Sequence, residues 1–153
     1  MIRHALALWI LSSLFLPQLH LSAADAVAFS SGKLTLHGVL YKPDGNGPFP
    51  AVIFNHGSAP GMLSSEAFEA LGPVFVSRGW VFFAPYRRGQ GLSSSAGPYI
   101  SDEINAALKS VGIRAGAATM VRLLETDHLD DQLAALVAAS RSGSRKGNGR
   151  KNR

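Results

Sequence analysis

Two short, almost wholly apolar runs, Ala51 to Asn55 (AVIFN) and Trp80 to Ala84 (WVFFA), constrain the fold of this chain more than any other feature. Runs of this length and composition suit parallel strands covered on both faces. The stretch between them, Ser64 to Ser77, reads as a helix. Glu66 and Glu69 stand near the positive start of its dipole, a break falls at Gly72-Pro73, and Gly79 is the stop. Strand, helix and strand within about 30 residues make a βαβ unit, because parallel strands need a crossover of that length. The expected class is therefore α/β.

The flanking segments extend this core. Ala26 to Ser30 and Leu34 to Tyr41 read as strands around Ser31-Gly32-Lys33, and the second alternates Leu34, Leu36, Gly38, Leu40 against Thr35, His37, Val39, Tyr41. That pattern predicts an antiparallel hairpin. Lys42 to Pro50 holds three prolines and two glycines, so it is a connecting loop. After the Gly- and Ser-rich loop Arg87 to Pro98, helices are expected at Ser101 to Val111 and from about Ala117 to Ser140. Leu129, Leu133, Leu136 and Val137 share one face of the second helix, which predicts that this stripe lies against the sheet.

Charge placement removes a nucleic-acid reading that the bulk values invite. The net charge of +5 and pI near 10.0 come largely from Arg141, Arg145, Lys146, Arg150, Lys151 and Arg153 at the end of the chain. Residues 25–140 carry eight basic and ten acidic groups, so the folding part has nothing to offer a polyanion. Residues 141–153 contain no apolar side chain and are expected to be a basic disordered tail. At the other end, Arg3, the uncharged run Ala5 to Leu16 and the small residues Ser22-Ala23-Ala24 have the form of a secretory signal, expected to be removed after Ala24 or at Ala24-Asp25-Ala26. The run is too short for a stable membrane span. The expected organisation is a signal peptide at 1–24, a partial domain at 25–140 and the tail at 141–153, in an exported protein, periplasmic or extracellular. With no cysteine, packing alone would hold it together.

The loops leaving the two apolar strands carry the chemistry. Asn55-His56-Gly57-Ser58 follows AVIFN, and Pro85-Tyr86-Arg87-Arg88-Gly89-Gln90-Gly91 follows WVFFA. Taken alone, His56-Gly57 is as well explained by a tight turn. Together with the proline-rich loop before AVIFN and His128 to Leu136 (HLDDQLAAL), the order resembles exported α/β-hydrolases of the dienelactone-hydrolase and prolyl-oligopeptidase-like kind. The resemblance covers about Phe29 to Ser140 and implies the N-terminal part of a hydrolase sheet, a hairpin followed by parallel strands with flanking helices. It also implies that the backbone amide of Ser58, supported by His56 and Gly57, is one oxyanion-hole donor. Arg87, Arg88, Gly89 and Gly91 would form a structural loop. Any arginine drawn toward the sheet needs a carboxylate, which Asp130 or Asp131 could supply.

In that fold the nucleophile sits in a G-x-S-x-G turn, and the acid and histidine of the triad follow it. No such pentapeptide occurs in these 153 residues, so no catalytic residue is expected among them and the sheet is expected to stop before the nucleophile strand. His56 and His128 precede the elbow position and are expected to be ordinary polar histidines. The five histidines show no metal-ligand spacing and no glycine loop has a phosphate-cradling form, so neither metal nor cofactor is implied. Three readings of the whole remain open. One is a hydrolase ended early and inactive alone, whose relatives act on small ester, lactone or peptide substrates. Another is half of a split hydrolase partnered by a complementary C-terminal fragment. The last is an exported binding protein that uses its basic tail.

Overall fold

The computed structural model describes residues 24–57 and 66–144. They form a mixed α/β fold built on one four-stranded sheet. The strands are β1 (Asp25–Ser31), β2 (Leu34–Tyr41), β3 (Ala51–Ile53) and β4 (Val81–Pro85), in spatial order β1-β2-β4-β3. β1 and β2 make the expected antiparallel hairpin, with Ser31 opposite Leu34 across a Gly32-Lys33 turn. β2 then pairs antiparallel with β4, and β3 pairs parallel with β4, so the sheet is mixed.

β4 is buried along its whole length because its side chains alternate between two cores. Val81 and Phe83 point to one, with Phe29, Leu36 and Leu40. Phe82 and Ala84 point to the other, with Tyr41, Phe68 and Tyr86. Helix α1 (Glu66–Val76) covers the second core and runs on through Pro73 without the expected break. Gly72 faces the Tyr41 ring, which a Cβ would meet at 2.5 Å.

Past the loop, α2 (Ile100–Val111), α3 (Ile113–Glu125) and α4 (Asp127–Ser144) follow. The single helix expected from about Ala117 is thus two, broken at Thr126, where φ is −121° and ψ is −98°. The expected orientation of α4 is also corrected. Leu129, Leu133, Leu136 and Val137 face outward and are 45–53% exposed. His128, Asp131, Ala135, Ala139 and Gly143 face inward instead. Small side chains let the helix approach the sheet closely, and Asp131 fixes its rotation by the contacts described below. The expectation that nothing beyond Ser140 packs is corrected as well. Gly143 is buried, its carbonyl accepts a hydrogen bond from Phe49 N at 3.0 Å, and a Cβ on it would stand 2.6 Å from Phe49 O. Contact through backbone needs no apolar side chain, so composition alone could not reveal it. No helix among the described residues is long and apolar enough to cross a membrane.

Candidate functional site

Because β3 and β4 are parallel neighbours, the loops leaving them emerge side by side. Phe54 N donates to Phe83 O at 2.8 Å and carries the ladder one residue past β3. His56 then turns inward and is 6% exposed, its ring 5.5 Å from that of Tyr86 and 6.4 Å from that of Phe68. Its Nδ1 lies 2.8 Å from the carbonyl of Gly57. A carbonyl can only accept, so Nδ1 carries the proton in this contact, while Nε2 is buried. Burial holds the His56 pKa below the usual histidine value, with the nearby Arg87 charge acting in the same direction.

Arg87 joins the two loops. Its Nη2 donates to the carbonyl of His56 at 3.0 Å. Arg88 turns the other way, toward α4. Asp131, fully buried there, accepts from Arg88 N at 3.1 Å, Arg88 Nε at 3.0 Å and Arg88 Nη2 at 2.9 Å. Ser31 Oγ at the end of β1 donates to the same carboxylate at 2.7 Å. Arg88 Nη1 reaches Asp127 at 2.8 Å. Burial alone would raise the Asp131 pKa, but the hydrogen bonds from Arg88 and Ser31 outweigh it and leave the group below the usual carboxylate value. Of the two aspartates proposed from sequence, Asp131 is the partner, and Asp130 is exposed. Asp127 was missed, although its spacing of four from Asp131 puts both on one helix face.

The glycines of this loop answer to close contacts. Gly89 (φ 71°) faces the carbonyl of Pro98, and Gly91 (φ 46°) faces the Tyr86 ring, so a Cβ at either would overlap its neighbour. Ser93, which sequence reasoning did not single out, locks the loop to β2: its Oγ accepts from His37 N at 2.9 Å and donates to Tyr86 O at 3.0 Å. Its only sequence signal was its place in a Gly- and Ser-rich loop.

His56 and His128, expected to be ordinary polar histidines, are both buried. His128 is 2% exposed and neither ring nitrogen has a hydrogen-bond partner. Burial, and then the Arg87 charge, hold its pKa below the usual value. The side-chain amide of Gln90 is likewise buried without partners. Ser58, the expected oxyanion donor, lies outside the described residues, while Gly57 is the last described residue of that turn. Among the described residues no group of three or more His, Cys, Asp or Glu side chains is placed to hold a metal. No family model, curated protein or solved structure matches this chain. Its own geometry defines an α/β sheet whose two adjacent parallel strands deliver a bridged pair of loops, His56-Gly57 and Arg87-Arg88, to one end.

Proposed function

We propose that residues 25–144 are the front part of an exported serine-hydrolase-type α/β-hydrolase, acting on ester, lactone or peptide bonds once a nucleophile from outside these 153 residues is supplied. The observation that carries this reading is the hydrogen bond from Arg87 Nη2 to His56 O. It fixes the turn after β3, where a backbone amide could face a substrate carbonyl, to the loop after β4. Ligand chemistry in open α/β sheets concentrates at such C-terminal strand ends. Arg88 and Asp131 are then structural: they brace the β4 loop against α4, and no polar atom of Asp131 is left for a substrate.

A further strand, from a complementary fragment or from a longer chain, is the source of the nucleophile in this reading. β3 pairs with β4 alone among the described strands, and its outer edge is where such a strand would add. Export would remove residues 1–24, and N-terminal sequencing of the exported chain is expected to begin at Asp25 or at Val27. A chain retaining Met1 in the membrane fraction would overturn the export reading.

The function is tested by exposing the chain alone to a serine-directed fluorophosphonate. One oxyanion donor is worth a factor of about 10² to 10³ only when a nucleophile attacks beside it, so no labelling is expected. Stoichiometric labelling abolished by Ser58→Ala would contradict the reading and make Ser58 the nucleophile.

A further inference from the structure

We propose that the outward face of α4 pairs with the same face of a second copy of this chain, the two helices running antiparallel about a two-fold axis and Asp130 of each copy facing Arg141 of the other. The face is apolar where a solvated helix would be polar. Leu129, Leu133, Leu136 and Val137 lie along it and are 45–53% exposed. The side turned to the sheet carries His128, Asp131, Ala135 and Ala139 instead, so the large apolar side chains of this helix are on its outside. A contiguous exposed stripe of this kind marks an interaction surface.

The charges on the face select the partner. From Leu129 to Arg141 the exposed charged residues are Asp130 and Arg141, of opposite sign and at opposite ends. Neither forms an ion pair among the described residues. At 3.6 residues per turn, Asp130 stands roughly 60° and Arg141 roughly 80° round the helix from Leu133, both on the Val137 side. A two-fold axis between antiparallel helices keeps each flank on its own side, so the Asp130 end of one copy meets the Arg141 end of the other. The midpoint of these two positions falls between Ala135 and Leu136, and Ala135 is midway between Leu133 and Val137. One register therefore pairs both charges and interlocks the stripe. A parallel pair would bring Asp130 level with Asp130 and Arg141 level with Arg141, which repulsion disfavours.

The 18 residues of α4 give about 27 Å of helix. One face of that length makes a contact at the small end of the range for specific interfaces, so the dimer should be weak, with a dissociation constant on the order of micromolar or above. The surface is independent of the hydrolytic reading. Asp131, which holds the β4 loop, is on the opposite side of α4, and His56 and Arg87 follow the ends of β3 and β4.

Sedimentation equilibrium and a single introduced cysteine test the proposal, both in the Ala51→Lys chain so that edge pairing at β3 does not contribute. A monomer–dimer equilibrium is expected. Leu136→Glu sets two like charges together at the axis and should weaken the dimer about 30-fold or more, the effect of losing a central anchor. Asp130→Arg or Arg141→Asp alone should weaken it about tenfold, because each turns two ion pairs into repulsions, and the two changes together should restore it. Unchanged helical circular dichroism would show that the variants fold. The chain has no cysteine of its own, so Leu136→Cys reports on its twin directly. Air oxidation should link it into a covalent dimer, whereas Leu129→Cys, roughly 20 Å from its twin in this register, should stay unlinked. A monomer at all concentrations, linkage of both cysteines as a parallel pair would give, or a double reversal as weak as its single parents would each overturn the proposal. So would a chain that stays monomeric but binds phosphatidylcholine vesicles until Leu136→Glu releases it, which would reassign the stripe to a membrane surface.

Discussion

Arg88 grips Asp131 with three donors, its backbone N at 3.1 Å, Nε at 3.0 Å and Nη2 at 2.9 Å, and the side chain of Asp131 is fully buried. One carboxylate thereby ties the β4 loop and, through Ser31, the end of β1 to helix α4. Removing Asp131 leaves Arg88 with the part-exposed Asp127 alone and takes the acceptor from Ser31 Oγ and Arg88 N. Asp131→Ala should therefore cost about 3–5 kcal/mol in urea unfolding. Arg88→Lys should rescue little, because an ammonium cannot reproduce the fork. A loss below about 1 kcal/mol for Asp131→Ala would show that the pair does not brace the loop.

Stability should fall as the medium is acidified, in two windows. His56 and His128 have folded pKa values below the usual 6.5, so the unfolded chain binds more protons. Their contribution is present above about pH 6.5 and is lost as pH drops through the folded values, at up to about 1.4 kcal/mol per pH unit for each group. Asp131 acts in the same direction at lower pH: its folded pKa is depressed, so its contribution is present above about pH 4 and is lost below. Urea midpoints from pH 8 to 5 should show the first window, and His128→Leu should flatten it. A midpoint that rises on acidification over this range would contradict the burial of both rings.

The glycines divide into two kinds, and substitution should separate them. A Cβ added at Gly32 (φ 56°) would meet nothing within 4 Å, so Gly32→Ala should cost only the left-handed backbone penalty of about 1–2 kcal/mol. Gly89→Ala adds overlap with the Pro98 carbonyl and should cost about 1–3 kcal/mol more, as overpacking does. Equal melting temperatures for the two variants would show that the loop can shift away from Pro98.

An open, partly apolar strand edge is a template for pairing between chains. β3 has such an edge, so the isolated chain should self-associate with increasing concentration in sedimentation velocity. Ala51→Lys, which places a charge on the exposed start of that strand, should reduce the association. A sharp monomer with cooperative unfolding at all concentrations would mean that β3 is protected.

Much of the sheet was legible because its signals are local. AVIFN and WVFFA became β3 and β4, and the alternation from Leu34 to Tyr41 became β2. The facing of α4 was not legible, since hydrophobic periodicity favours the Leu129 stripe. The inward stripe of His128, Asp131, Ala135 and Ala139 depends on a partner, Arg88, that is 43 residues from Asp131 in sequence. The same holds for the site. An arginine needing a carboxylate could be read from Arg87-Arg88, but the division of labour could not: Arg88 takes Asp131, and Arg87 bridges to the His56 carbonyl. Backbone contacts such as Phe49 to Gly143 leave no trace in composition.

The central claim, that the His56 and Arg87 loops form half of a hydrolytic site awaiting a nucleophile, is tested most directly by burst titration with an activated ester. The chain is joined to, or mixed with, a segment that supplies a strand, a G-x-S-x-G turn and the following helix, together with the acid and histidine of the triad. A stoichiometric burst is expected, abolished when the serine of that turn is changed to alanine and weakened when Arg87→Ala frees the turn after β3. A burst from the chain alone, or one from the completed protein that ignores Arg87→Ala, would contradict it.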